Sequence, residues 1–232
     1  MKTMSMQGFW LRMRLAAVRC LEDARGIAAT EFAMILPIMA VMFFGAVEVS
    51  SGVAVDRKVT LDARTLADVT SQAAPDPAVT NAQYAPVDDT YLKNVFTSAI
   101  PILKPYDVTA AKLQISEIYV DNNQVAKIQW SRAGFIASNG DTQATLTTST
   151  RTAGDIVTAI VPAALLVKKT YLLFSEVSYN YKPMGIGYVL KNNLTLSDVA
   201  YSRPRQALCV VYTVPNPPQP NVAANNNLCP QT

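Results

Sequence analysis

The most unusual charge in this sequence stands at the junction Arg25-Gly26-Ile27-Ala28-Ala29-Thr30-Glu31-Phe32. From Gly26 to Val55 the only charged residues are Glu31 and Glu48. An acidic side chain at mid-membrane costs about 2.5–3.5 kcal/mol, and less near the interface. Glu31 therefore asks for a cation. A backbone cut after Gly26 would supply one, because the new amine of Ile27 would lie one helical turn from Glu31. The amine of a neighbouring copy would serve equally well. Opposite charges ~4 Å apart attract by about 4 kcal/mol at an effective dielectric of roughly 20, which offsets the burial. The other reading is a glutamate that snorkels to the membrane surface.

Elsewhere the residue types argue against catalysis. The chain contains no histidine, which removes the commonest general base and the commonest metal ligand. Its three cysteines are scattered at 20, 209 and 229, so a Cys/His metal site is excluded. No P-loop, Ser-x-x-Lys or G-x-G-x-x-G stands in a suitable context, and Gly185 and Gly187 read as turn glycines. Beyond the apolar run the only adjacent carboxylates are Asp88 and Asp89, at a predicted helix start where acids favour the helix dipole. Glu176 reads as one half of a structural ion pair with a basic residue on a neighbouring strand, such as Arg203 or Arg205, or else as part of an interaction surface. No cofactor is implied. With a pI near 8.7 and no clustered Lys/Arg stripe, nucleic acid is not an expected partner.

The elements that must position these groups follow from charge and hydropathy. Residues 1–26 form a basic leader carrying Lys2, Arg12, Arg14, Arg19 and Arg25. Residues 27–55 follow, and within them Phe32 to Val47 (FAMILPIMAVMFFGAV) has no polar side chain. As a helix this segment would be about 43 Å long, enough to cross a hydrocarbon core of ~30 Å. Basic residues on its N-terminal side place the N-terminus in the cytoplasm and the C-terminal domain outside. A buried core helix would show a polar face. A cleaved signal peptide would turn loop-like after Ala54, whereas residues 56–74 continue at helical spacing through Val59, Leu66, Val69 and Ala73. Pro75 and Pro77 end the helix by Ala74.

The expected architecture is α+β: a long N-terminal helix, apolar then amphipathic, packed against a small antiparallel sheet, with a single membrane span. Residues 75–214 supply the outer domain. Leu92, Val95, Phe96 and Ala99 share one face of a short helix over Asp89–Ile100, stopped by Pro101 and Pro105. Residues 111–133 alternate as two strands about an Asp121-Asn122-Asn123 turn, a hairpin signal. Thr142–Thr152 reads as an edge strand or loop. Asp155–Lys168 is apolar but interrupted by Pro162 and too short for a second span, so it reads as a buried strand–turn–helix piece. Lys168–Tyr181 alternates again, and residues 215–232 form a Pro/Asn-rich tail.

Cys20 falls in the leader, on the reducing side. Cys209 and Cys229 both lie beyond the membrane, where a disulfide persists if the compartment is the bacterial periplasm; two free thiols are the alternative.

The leader, Gly26, four residues, Glu31, Phe32 and an apolar helix together resemble the type IV prepilin processing site. More specifically they resemble TadE/TadF-like pseudopilins of the tight-adherence (Tad, Flp) pilus system. In that family a prepilin peptidase cleaves after the glycine, here between Gly26 and Ile27, and Glu–aromatic follows, here Glu31 and Phe32. Phe32 replaces the more usual tyrosine and keeps the ring. Pro37 also fits. Glu176, Tyr179, Tyr181, Pro183 and then Arg203-Pro204-Arg205 resemble the tail of TadE-like proteins. The von Willebrand A domain of TadG-like relatives is not indicated, since Asp68-Val-Thr-Ser-Gln72 lacks its metal motif. The resemblance implies a minor structural subunit of the inner membrane. Its implied partners are the peptidase, other pseudopilins, the major Flp-type pilin, the assembly platform and the lipid bilayer. The competing expectation is an uncleaved single-span protein whose periplasmic domain binds a partner.

Overall fold

The structure is a computed structural model that describes residues 25–77, 82–183, 193–213 and 229. The leader up to residue 24, Cys20, the glycines 185 and 187 and most of the tail lie outside the described residues. Two compact units divide the chain, Met1–Ser50 and Ser51–Thr232.

One helix, α1 (Arg25–Ser71), contributes to both units. In the first, its apolar side chains are exposed all round, from Phe32 and Met34 through Phe43, Phe44 and Val49. In the second, Val55, Val59, Ala63 and Leu66 are fully buried. Their spacing, about one helical turn repeated, makes one stripe along the helix. The helix stops three residues before the expected end, with Gln72 and Ala73 closing onto Val69 and Thr70 carbonyls.

The sheet that meets this stripe has five antiparallel strands in the order β4-β3-β2-β5-β6. These are β2 (Ala111–Val120), β3 (Ala126–Phe135), β4 (Thr145–Thr147), β5 (Thr170–Tyr181) and β6 (Leu194–Ser202). The β2–β3 hairpin turns where expected. Asp121 accepts from the backbone N–H groups of Asn123 and Val125, and Gln124 takes a positive φ of 61°. Alternation then sorts the side chains. Leu113, Ile115, Leu173 and Val177 join the core with α1, and Ser175 Oγ donates to the Ala63 carbonyl at 2.5 Å. Ile118, Val120, Leu172 and Phe174 belong to a second, smaller core.

Two short helices, α2 (Asp89–Thr97) and α3 (Ala99–Leu103), also cover the main core. Asp88 caps α2 by accepting from Tyr91 N at 2.7 Å. The expectation of one helix stopped at Pro101 is corrected: Pro101 sits in the first turn of α3, where its missing N–H costs nothing. Phe96 lies over Gly134 so closely that a Cβ there would come within 2.7 Å of the ring.

Two features depart further from expectation. A separate two-stranded parallel pair, β1 (Tyr84–Val87) with β7 (Cys209–Tyr212), was not foreseen. Asp155–Lys168 is not a buried strand–turn–helix piece. It is irregular, with one 3₁₀ turn at Ala163–Leu165, and only Val157 and Val161 are buried against the smaller core. Ile156 remains 69% exposed. With Pro162 inside it, the segment cannot complete a strand or a helix.

Candidate functional site

In the first unit, Arg25 and Gly26 are the first helical residues, and Ile27, Glu31 and Phe32 follow within two turns. Ile27 and Glu31, four residues apart, share one face of α1. Both are exposed, as is Phe32. Thr30 spends its hydroxyl on the Ile27 carbonyl at 2.8 Å. Glu31 thus stands on the surface of a helix whose following turns, from Phe32 to Val47, carry only apolar side chains. Chemically, such a surface can exclude water against other apolar helices and offer one carboxylate to a cation.

Glu176 lies on β5 and its partner is Arg151, not Arg203 or Arg205. The guanidinium forks onto the carboxylate, Nε to Oε2 at 2.5 Å and Nη2 to Oε1 at 2.6 Å. Gln114 on the adjacent strand donates to Oε2 at 2.7 Å. The correction has a simple geometric cause. Gln114 and Glu176 are paired across β2 and β5, and the segment after β4 returns over that same face. Arg205 instead pairs with Asp68 of α1, and Arg203 is exposed. The pair at Glu176 is bidentate and half-buried, the geometry in which an Arg–carboxylate contact is strongest.

Cys209 and Cys229 are joined by a disulfide, with their Cα atoms 5.8 Å apart. Tyr119 and Tyr171 pack against it.

Sequence reasoning missed two buried acids. Asp62 of α1 is fully buried, and neither carboxylate oxygen has a hydrogen-bond partner among the described residues. Glu117 of β2 is also fully buried. Its Oε1 accepts from Val210 N at 2.6 Å, while Oε2 has no partner among the described residues. Burial raises the Glu117 pKa to about 8, against the lowering effect of the Val210 N–H and Trp130. The signal was present for Asp62, which sits three residues after Val59 and four before Leu66, inside the apolar stripe. No group of three or more His, Cys, Asp or Glu among the described residues could hold a metal ion.

A helix long and apolar enough to cross a membrane, running on into an α+β domain, is the build of a single-pass membrane protein and is compatible with that class. Residues 26–74 match the family model described as TadE-like protein, so α1 and the residues just after it are TadE-like. No curated protein and no solved structure matches this chain.

Proposed function

We propose that this protein is a TadE-like pseudopilin, a minor structural and assembly subunit of a Tad (Flp) pilus or a related secretion apparatus. A prepilin peptidase cleaves it after Gly26, freeing the Ile27 amine. The first unit of α1 then packs beside other pseudopilins or the major Flp-type pilin, with the assembly platform of the inner membrane as the site of incorporation. The N-terminus faces the cytoplasm and the α+β domain the periplasm. Glu31 sets register by meeting a free amine, its own or a neighbour's, and Phe32 fills the adjoining contact. Repeated head-to-tail contacts of this kind build filaments rather than closed rings. The role is structural and not enzymatic.

The observation that carries this reading is the position of the family match. It begins at Gly26, one residue into α1, and covers Glu31 and Phe32. Intact mass and N-terminal sequencing, in cells with and without the prepilin peptidase, test it. Ile27 becomes the N-terminus only when the peptidase is present. A full-length chain in both backgrounds would favour the uncleaved single-span protein instead.

A further inference from the structure

Beside α1, a cleft of about 380 Å³ opens between the helix and the edge strand β6. Arg64, Thr65, Ala67 and Asp68 line it from the helix, and Ala200, Tyr201, Ser202 and Arg205 from β6 and the turn that follows. Ala67 and Ala200 have short side chains, so the cleft stays open where larger residues would close it. The charged groups around it are two arginines and one carboxylate, Asp68. Arg205 is fixed in place twice: its backbone N–H donates to the Ser71 carbonyl at 2.9 Å, and Nη2 donates to Asp68 Oδ1. Its Nε and Nη1 make no hydrogen bond among the described residues. Both Asp68 oxygens are engaged, since Gln72 Nε2 donates to Oδ2 at 3.0 Å. Arg64 is exposed and enters no ion pair among the described residues. Tyr201 has committed its hydroxyl proton to the Ile160 carbonyl, and Thr65 its own to Leu61.

We infer that this cleft binds an oxyanion, a carboxylate or a phosphate, clamped between the guanidinium groups of Arg64 and Arg205. The planar fork of arginine matches both ligands in two-point geometry. Two cations from different elements face one internal acid, so the site keeps a net positive charge that a single Arg205–Asp68 pair would not have. Asp68 is the internal competitor: it holds Arg205 ready and is partly displaced when the ligand arrives. The ligand comes either from an acidic side chain of a neighbouring subunit or from a phosphate group, and the two sources are separable in solution.

Isothermal titration of the full chain in detergent, at low ionic strength in a zwitterionic buffer, uses sodium acetate and sodium phosphate as the probes. One saturable site per chain is expected. Arg64→Gln and Arg205→Gln each weaken it by about tenfold, the loss of one charge-assisted contact. Asp68→Asn tightens it by removing the competitor, an outcome that no purely structural ion pair would give. Acetate bound as well as phosphate assigns the site to carboxylates, and phosphate alone assigns it to phosphate ligands. Thermal melting of Arg64→Gln checks folding independently, since this side chain is exposed. No saturable binding of either anion, or binding unchanged in Arg64→Gln, overturns the proposal.

Discussion

Glu117 and Trp130 stand opposite each other on β2 and β3, and between them they hold both backbone groups of Val210. The carboxylate accepts the Val210 N–H at 2.6 Å, and the indole Nε1–H donates to the Val210 carbonyl at 2.6 Å. Two side chains thus do for β7 what a neighbouring strand would do. They attach it to the main sheet although it pairs only with β1. Trp130 also packs on Tyr212, ring centroids 5.7 Å apart, so the same residue supplies both a donor and apolar cover.

The acid in this clamp makes stability depend on pH in a defined direction. The Glu117 pKa lies at about 8 in the folded chain, against an ordinary value of 4.5. The folded state therefore holds its proton where the unfolded chain has released it, and stability falls as pH rises from about 4.5 to about 8. The carboxyls of Asp107 and Asp155 are instead held low, chiefly by hydrogen bonds from Thr109 and Thr152, and do not titrate in that window. Denaturant unfolding of the wild type should give a higher midpoint at pH 5 than at pH 8, by on the order of a few kcal/mol in stability. Glu117→Gln keeps the acceptor for Val210 N and should lessen this dependence, leaving the part that comes from Asp62, whose pKa burial raises to about 7. An equally steep profile in that variant would remove the role given to Glu117.

Asp62 sits in the helix–sheet core with no hydrogen-bond partner among the described residues, and burying a polar group without a partner costs about 1–3 kcal/mol. Asp62→Leu replaces it with an apolar group of similar size along the stripe of Val59 and Leu66. The melting temperature should rise. A fall would mean that the carboxylate has a native role that packing alone does not replace.

The Arg151–Glu176 fork ties the segment after β4 to the middle of the sheet. Breaking it with Arg151→Ala should cost about 1–2 kcal/mol, reduced by the partial exposure of both side chains. Arg203→Ala should be close to neutral. A double-mutant cycle measures the coupling: a clear term for Arg151 with Glu176, and none for Arg203 with Glu176.

Gly134 is where Phe96 of α2 meets β3. A methyl group there would come within 2.7 Å of the ring. Gly134→Ala should therefore destabilise the domain by about 1–3 kcal/mol. Shrinking the ring with Phe96→Leu in the same chain should recover part of that loss, and strict additivity of the two changes would contradict the contact.

A disulfide closing a loop of 20 residues contributes up to ~3 kcal/mol by restricting the unfolded chain. Cys229→Ser should lower the midpoint of unfolding under oxidising conditions and abolish any mobility difference on gels run with and without reductant. A difference that persists in this variant would place the bond elsewhere.

Composition alone made the long helix legible, because sixteen residues without a polar side chain leave few alternatives. The β2–β3 hairpin was legible from its Asx turn, and the α2 start from paired acids. What escaped was non-local. Strands β1 and β7 are four residues each, and neither alternates long enough to announce itself. Arg151 lies in a Thr-rich stretch with no regular structure, so nothing in its surroundings ties it to Glu176. Apolar content misled at Asp155–Lys168, where Ile156 and Ile160 are exposed although hydropathy alone would bury them. The candidate processing residues, by contrast, needed no fold at all: they are a local pattern at the head of one helix.

The parallel pairing of β1 with β7 also sets an order of events. β1 follows closely on α1, while its partner Cys209–Tyr212 comes only after all the strands of the main sheet. Without it, Glu117 and Trp130 face an unfilled gap and the domain is unfinished. A chain truncated before Cys209 should therefore present a sticky, protease-sensitive domain, although every strand of the main sheet is intact.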